Sequence, residues 1–363
     1  MKKILITLLI TSSSILFAAE YDYIYKGARP MGMGGAFTAV SDDINALFYN
    51  PAGLNRIKKG EGEIIVLNPG IVMNTTAIDI AGKISRMVTQ NPMDALTPYI
   101  GQNMHLDIMS MMPSLARKNF AVALMLPTIR NNTLLRRNVA TEAYETIIAD
   151  SGLMLGFAHG FLQDRLAVGV DIKFLVRGAG DVTFDAVQLY TRRTVNFNDI
   201  GGYGFGVDGD IGAMYTFNKV WFFIPTVGMS INNIGATKFP THFGRGTYYG
   251  ALADEYRLKR SLSIGSKFEL PSGAYFSKWI FVFDINNIGF PGSMFKKFHL
   301  GTEALLFNFF GLRGGINQGY FTFGLTLNIP VMKIDFFTYG EELGDSTGVK
   351  GDRRIGIQLT FGW

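Results

Sequence analysis

The chain has 363 residues, and only 17% of them are charged, against about 25% in an ordinary soluble domain. It contains no cysteine, which excludes disulfides, thiolate metal ligands and a cysteine nucleophile. The formal net charge of +5 comes without a dense Lys/Arg patch, so no nucleic-acid partner is expected.

Residues 1–19 have the layout of a secretory signal peptide. Two lysines lie at the start, residues 4–17 are mostly apolar, and two alanines precede Glu20. The apolar run is shorter than the roughly 20 residues that a membrane anchor needs. We therefore expect export and removal of this segment, and no later segment is suited to a spanning helix.

Residues 20–60 form the next unit, whose middle is rich in small residues and turn formers. Glycines come first, an acidic pair follows, and an Asn-Pro-Ala triplet closes the stretch. The residues that define it are Gly32, Gly34, Gly35, Asp42, Asp43, Asn50, Pro51 and Ala52. The glycines lack the preceding strand of a nucleotide-binding loop. Adjacent residues on an extended chain point apart, so we expect the acidic pair to cap the turn or helix over residues 44–49 rather than to bind a metal.

From residue 63 onward, apolar residues recur at every second position. Val170 and Ile172, for example, alternate with Asp171 and Lys173. A membrane barrel turns the apolar face of each strand to lipid and the polar face inward, in segments of roughly ten residues, and we count about fourteen of them. Their approximate spans are 63–72, 105–115, 119–128, 145–158, 163–177, 203–217, 219–232, 257–270, 277–288, 297–306, 309–317, 320–329, 331–340 and 352–363.

The connections between these segments alternate in length. The longer ones are 73–104, 129–144, 178–202, 233–256 and 341–351. Short periplasmic turns and long external loops are typical of outer-membrane barrels. The two-residue connection at 318–319 breaks the alternation, which leaves open that the neighbouring segments are misplaced.

The first long connection, 73–104, has a helical pattern instead. Ile80, Ile84 and Met87 recur at helical spacing, and Leu96 belongs to a second such run after Pro92. We predict two short amphipathic helices in this external loop. Two interpretations remain open: an apolar surface on which hydrophobic ligands land, and a face packed against neighbouring loops.

The end of the chain and the charges within the strands also fit a barrel. From Ile355 to Trp363 every second residue is apolar, as in a terminal barrel strand that ends at the membrane interface. Charged residues at the inward positions are expected to pair across the lumen and hold the N-terminal unit, or to line a polar path. They are Asp171, Lys173, Asp208, Asp210, Lys267, Glu269, Asp284 and Arg354.

Residues 27–54 resemble the N-terminal hatch of FadL-like outer-membrane proteins, the long-chain fatty-acid transporter family, through the glycine run, the acidic pair and the Asn50-Pro51-Ala52 triplet. The PorV-like branch, linked to type IX secretion, shares this layout. The resemblance implies a fourteen-stranded barrel in a Gram-negative outer membrane, with the hatch inside the lumen. It also implies that apolar ligands bind at the outer loops, pass a hatch that shifts, and leave sideways at a distorted strand.

Three prolines are candidates for that distortion, because proline deletes a hydrogen bond of the strand ladder. They are Pro69, Pro113 and Pro127, and the alternative is that they mark ordinary strand ends. The candidate apolar ligand contacts are Phe37, Phe48, Ile84, Met87 and Leu96.

The sequence therefore predicts an all-β fold, a transmembrane antiparallel β-barrel, with a signal peptide (1–19), a hatch (20–60) and a barrel (61–363). The first predicted function is passive transport of a hydrophobic small-molecule ligand, such as a long-chain fatty acid, among outer-membrane lipid. The alternatives are a structural or secretion-associated barrel that binds a protein partner through external loops, and a β-rich secreted protein outside the membrane. Neither a nucleophile–base pair nor a cofactor or metal motif is present in the sequence, so no enzyme activity is expected.

Overall fold

The computed structural model describes residues 20–60, 62–89, 97–109, 111–137, 141–185, 202–239, 256–271, 273 and 276–362; for residues 84–89, 141, 182, 184–185 and 276 it describes the backbone alone. Sixteen strand segments lie within these ranges. They are β1 (Glu63–Leu67), β2 (Gly70–Asn74), β3 (Asn103–Met109), β4 (Ser114–Arg117), β5 (Phe120–Arg137), β6 (Thr141–Phe161), β7 (Leu166–Asp185), β8 (Gly202–Thr216), β9 (Ile224–Asn232), β10 (Ser261–Leu270), β11 (Phe276–Ile288), β12 (Phe298–Leu306), β13 (Phe310–Asn317), β14 (Tyr320–Ile329), β15 (Met332–Glu342) and β16 (Gly351–Gly362).

The strand segments close into one antiparallel barrel. β1 and β2 both pair with β16 and are two halves of one strand. β3 and β4 both pair with β5 and are two halves of the next. The wall of the described chain therefore has fourteen strands, and the predicted fold class and strand number are confirmed.

Inward and outward side chains alternate as the sequence pattern predicts. On β7, Val170 and Ile172 are 44% and 45% exposed, whereas Asp171 and Lys173 between them are 3% and 2% exposed. The outer face is thus apolar, as a lipid-facing surface requires. Among the described residues, no helix has both the length and the hydropathy to cross a membrane.

Three strands are longer than the sequence pattern predicts. β5, β6 and β7 contain 18, 21 and 20 residues, where a tilted spanning strand needs about 9–11. The prediction of loops at 129–144 and 178–202 is therefore wrong for the residues that belong to these strands. These strands extend beyond the bilayer. Outside the lipid their outer face need not be apolar, so the alternation of apolar and polar residues is weaker there.

The connection at 318–319 is a true two-residue hairpin turn. Gln318 and Gly319 have φ values of 53° and 92°, and positive φ at both central residues is the geometry of a tight turn between antiparallel strands. The segments on either side, β13 and β14, are therefore where the pattern predicts them.

The first long connection begins with the helix α3 (Thr75–Thr89; α1 and α2 precede it in the chain) and ends with a 3₁₀ turn at Thr97–Tyr99. The second predicted helical run falls largely on residues 90–96, outside the described residues.

Residues 20–60, called the N-terminal segment below, pack against inward-facing side chains around the barrel. The segment contains α1 (Ala28–Gly32), α2 (Ala46–Tyr49) and a 3₁₀ helix (Pro51–Arg56). The Tyr21 hydroxyl donates to Pro291 O in a turn at one end of the barrel, and Arg56 donates to Asp164 O in a turn at the other. The segment therefore runs through the lumen, and Val40, Leu47 and Leu54 are fully buried there.

Candidate functional site

The glycine run lets the N-terminal segment lie directly against the barrel wall. Gly34 and Gly35 have φ values of +69° and +73°, which favour glycine, and a side chain at Gly34 would stand 2.2 Å from Leu300 O on β12. A side chain at Gly32 would stand 3.1 Å from the Cα of Gly324 on β14. The glycines are therefore needed for close packing inside the wall.

The Asn50-Pro51-Ala52 triplet starts the 3₁₀ helix. The Asn50 Oδ1 atom accepts a hydrogen bond from Ala52 N at 3.1 Å, while its Nδ2 donates to Thr38 O at 2.8 Å. Pro51 fits the first position of the helix, because the amide at that position has no helical partner. The triplet packs on β7 and β8, since side chains at Gly169 and Gly212 would collide with it.

The acidic pair forms an ionic cluster, a role that the sequence reasoning missed. Arg29 Nη1 lies 2.6 Å from Asp42 Oδ1 and 2.7 Å from Asp43 Oδ2, and Arg29 Nη2 lies 2.6 Å from Glu303 Oε2 on β12. The two carboxylates converge on one guanidinium, so the expectation that they point apart is wrong. Capping is partial: Asp43 accepts from Asn45 N at 2.9 Å, but α2 has no side-chain cap.

The charge of Asp42 is strongly stabilised by this cluster. Burial alone would raise the pKa of Asp42, but Arg29 and Lys278 outweigh it and hold that pKa well below the ordinary value of 3.8. Asp42 therefore remains a carboxylate far into the acid range, and the contact between the N-terminal segment and the wall remains ionic.

A second ionic cluster ties the start of the segment to the end of the chain. Glu20 accepts two hydrogen bonds of 2.8 Å from Arg354 on β16. Lys26 lies 2.8 Å from Glu20 and 2.9 Å from Glu341 on β15. Asp22 lies 2.7 Å from Arg177 on β7, at the far side of the lumen.

The predicted inward charges are placed in the lumen and most of them pair. Lys173 pairs with Asp210, and Arg354 pairs with Asp352 and Glu20. Asp284 Oδ2 accepts from the amides of Phe37 and Thr38 at 2.8 and 2.7 Å. Arg354 and Asp284 thus hold the N-terminal segment, which is one of the two roles expected for the inward charges, while Lys173 and Asp210 pair within the wall.

Among the candidate apolar ligand contacts, the structure describes the side chains of Phe37 and Phe48. Phe37 is fully buried in a cluster with Met33 and Ile280, so a ligand cannot touch it in this arrangement. Phe48 is half-buried, with its ring centroid 4.8 Å from that of Tyr25. The side chains of Ile84 and Met87 lie outside the described residues, as does Leu96.

The wall has a break, which we define as the two interruptions at residues 68–69 and 111–113 together with the bulge at 125–128 in β5. The three lie on adjacent strands, and each contains one of the predicted prolines. Hydrogen bonds outside the regular ladder bridge the break: Asn68 Oδ1 accepts from Met112 N, and Met111 O accepts from Leu126 N at 3.2 Å. Among the described residues the wall is therefore closed here, by hydrogen bonds that lie outside the regular ladder.

An apolar cluster lies directly behind the break. Met109, Met112 and Met125 are at most 3% exposed and pack with Ile24 and Tyr25 of the N-terminal segment. Methionine is flexible and adapts to irregular spaces. This side of the lumen is therefore suited to apolar molecules.

Solved barrel structures resemble this fold. The CymD monoaromatic hydrocarbon channel matches with a TM-score of 0.52 and 12% identity, over 94% of this chain and 99% of that one. The toluene transporter TodX of Pseudomonas putida matches with 0.50 and 11%, over 95% and 99%. A TodX channel mutant, deltaS2S3, matches with 0.53 and 12%, over 93% and 98%.

The likeness confirms the resemblance to FadL-like proteins at the level of the fold, since these hydrocarbon channels belong to that family. No family model matches the chain, and no curated protein matches it. The compared proteins are transport channels rather than enzymes, and their barrels belong to the outer membrane.

Proposed function

We propose that this protein lets hydrophobic small molecules cross the outer membrane passively, and that they leave the lumen sideways through the break. The observation that carries this proposal is the position of the methionine cluster, which lies directly inside the break. Apolar side chains also flank the break outside: Ile108 and Leu124 are 44% and 47% exposed. A hydrophobic molecule gains about 0.8 kcal/mol for each CH₂ it removes from water, so a route from apolar cluster to lipid is favourable.

The N-terminal segment acts as the gate in this proposal. Its buried residues fill the lumen, so passage requires that Ile24 and Tyr25 move away from the methionines. Ion pairs of Asp22 with Arg177 and of Lys26 with Glu341 flank these two residues, so the motion is confined to the short stretch between them. Residues 1–19, outside the described residues, direct export and are removed in this scheme.

A neutral hydrocarbon fits the lumen better than a fatty acid does. Lys26, Arg29 and Arg354 already pair with carboxylates, and a fatty-acid head group would have to displace one of these partners. CymD and TodX are described as channels for monoaromatic hydrocarbons and toluene, and we extend that class to this chain. Long-chain fatty acids are the narrower expectation from the resemblance. The external loops expected to bind a protein partner, 178–202 and 233–256, lie mostly outside the described residues.

A reversible staple across the break tests the route. The chain has no cysteine, so the double variant Asn68→Cys with Met112→Cys introduces only the intended pair. The Asn68 side chain accepts a hydrogen bond from the Met112 amide, so the two positions are neighbours across the break. In Gram-negative cells that contain the full protein in their outer membrane, we expect oxidation to reduce uptake of radiolabelled toluene at least tenfold, and reduction of the disulfide to restore it.

A second staple controls for general stiffening of the wall. A Cβ atom at Gly62, which directly precedes β1, would lie 3.7 Å from that of Arg117 on β4, away from the break, which suits a disulfide. Oxidised Gly62→Cys with Arg117→Cys should take up toluene at the unmodified rate. Toluene uptake that is unchanged by the Asn68–Met112 staple would rule out exit through the break. Palmitate uptake by the same cells separates the two ligand classes.

A further inference from the structure

We propose that the periplasmic end of the barrel binds an anionic phospholipid of the adjoining leaflet through a basic patch. The patch lies where three stretches meet: residues 54–60 of the N-terminal segment, residues 117–119 at the turn between β4 and β5, and residues 162–165 between β6 and β7. Its cations are Arg56, Lys58, Lys59, Arg117, Lys118 and Arg165. The site goes beyond the proposed route for hydrophobic molecules and does not depend on it.

Hydrogen bonds hold the three stretches of the patch against one another. Leu54 O accepts from Asn119 N at 3.0 Å. Arg56 donates to Asp164 O at 2.6 Å and to Arg165 O at 2.9 Å. The end of the N-terminal segment and the two turns therefore form one surface. Short turns mark the periplasmic end of an outer-membrane barrel, so this surface faces the periplasmic leaflet.

The patch carries far more positive than negative charge. Among the described residues of its three stretches, Asp164 is the one carboxylate, and it lies 2.6 Å from Lys118. Glu63 follows the patch and lies 3.4 Å from Lys333, while Glu61 lies outside the described residues. Three exposed cations have no carboxylate partner in the described part of the chain: Lys59, Arg117 and Arg165. Negative charge from another molecule is therefore favoured here.

The lipid-facing surface of the barrel continues directly into the patch. Leu162, in the same turn as Arg165, is 64% exposed, and Phe161 at the end of β6 is 49% exposed. The Arg117 guanidinium lies 5.5 Å from the centroid of the Phe120 ring. Aromatic and basic side chains at the end of an apolar wall are typical of the depth of lipid head groups. A phospholipid thus fits both the charge and the apolar border, whereas a soluble acidic protein fits the charge alone.

The charge lies on one side of the barrel's end, below the break. Arg117 comes four positions after Pro113, which is about 13 Å at a rise of about 3.3 Å per residue. The turns at residues 307–309 and 330–331, elsewhere at this end, contain no charged residue. A lipid held by the patch would therefore border the break on its periplasmic side.

Single cysteines and spin-labelled lipids test the site by position. The chain has no cysteine, so Leu162→Cys beside the patch and Phe307→Cys on the opposite side of the barrel each take one fluorophore. The two native side chains are 64% and 67% exposed. With the full protein in phosphatidylcholine vesicles, we expect spin-labelled phosphatidylglycerol to quench at position 162 at least about threefold more than spin-labelled phosphatidylcholine, because the patch concentrates the anionic lipid. At position 307 the two lipids should quench equally.

A change of charge separates the patch from the rest of the membrane surface. One combined variant removes three charges from the patch: Lys59→Gln, Arg117→Gln and Arg165→Gln. It should bring the quenching ratio at position 162 to about one. The matched control removes three exposed charges at the opposite end of the barrel and should retain the ratio: Arg257→Gln, Lys259→Gln and Lys350→Gln. Thermal melting confirms that each variant is folded.

Salt provides a test that needs no charge variant. At about 1 M salt the Debye length falls to about 3 Å, so the quenching ratio at position 162 should fall to about one. Equal quenching by the two lipids at low salt would overturn the proposal and leave the patch to an acidic protein. A ratio that survives removal of the three charges would also overturn it, as would competition by inorganic phosphate, which would indicate a site for a free anion.

Discussion

At the scale of single residues, glycines on the inner face of the wall are as important as those in the N-terminal segment. A side chain at Gly301 would stand 2.4 Å from Met33 O, and one at Gly169 would stand 2.4 Å from Ala52 N. Both obstacles are backbone atoms, which cannot move aside as a flexible side chain can. The wall and the segment are therefore complementary at the level of single Cβ atoms.

We expect Gly301→Ala to displace the N-terminal segment and open the lumen to ions. In planar bilayers this variant should show stepwise ion conductance at least tenfold above the unmodified protein. The control is Gly314→Ala on the neighbouring strand, where a side chain would have no neighbour closer than 3.9 Å. Conductance that is unchanged in Gly301→Ala would mean that the segment tolerates the added methyl group without moving.

The sequence indicates which residues of the N-terminal segment are important for close packing, but it does not indicate the charged residues that pair with them. Gly34 and Asn50 stand out in the sequence because they belong to a compact run of unusual composition. Arg29 does not stand out, because its partners Asp42 and Asp43 lie 13 and 14 residues away and Glu303 lies 274 residues away. Such contacts depend on how the segment is folded inside the wall, which no local pattern records.

At the scale of secondary structure, lipid makes the strands predictable. An apolar side chain is required at every second position only where a strand crosses the bilayer, so the central part of each strand is visible in the sequence. The projecting ends of β5 and β6 are not, since water surrounds them. There Leu135 and Ala143 form a small buried cluster with Tyr99, against which Ile80 of α3 packs.

The projecting hairpin should support the loop that contains α3. Leu135→Ala removes packing beneath Tyr99, at a cost of about 2–5 kcal/mol for a buried leucine, and we expect faster hydrogen exchange in α3. The melting temperature of the barrel should change little, because Leu135 lies outside its central part. Leu124→Ala on the outward face of the same strand should leave exchange in α3 unchanged. An equal rate of hydrogen exchange in α3 for Leu135→Ala and the unmodified protein would show that the loop does not depend on packing against the hairpin.

At the scale of the whole molecule, carboxylates join the N-terminal segment to the wall, and their pKa values predict how the joint responds to acid. Burial would raise the pKa of Glu20, but Arg354 and Lys26 lower it well below 4.5, and that of Asp42 is lowered from 3.8. Groups with lowered pKa values stabilise the folded state above their ordinary pKa, and this stabilisation is lost as the pH falls through the folded value. The segment should therefore remain packed at pH 5 and above.

We expect hydrogen exchange in residues 20–60, corrected for intrinsic rates, to rise steadily as the pH falls from 5 to 3. In Asp42→Asn, hydrogen exchange of residues 20–60 should be faster at pH 7, because Arg29 and Lys278 lose the negative charge of Asp42 that partly neutralises them. Its dependence on pH should be shallower, because one titrating carboxylate is gone. If hydrogen exchange in the variant and in the unmodified protein depended on pH with the same slope, Asp42 would not control the packing of the segment.

The contact between Glu20 and Arg354 also constrains how the molecule assembles. These residues are 334 positions apart in the chain, and β16 must pair with β1 and β2 to close the wall. Contacts so distant in sequence form late, because closing a long loop costs entropy before the contact is made. We therefore expect seating of the N-terminal segment and closure of the barrel to occur together, with the last strand to arrive fixing the first residues in place.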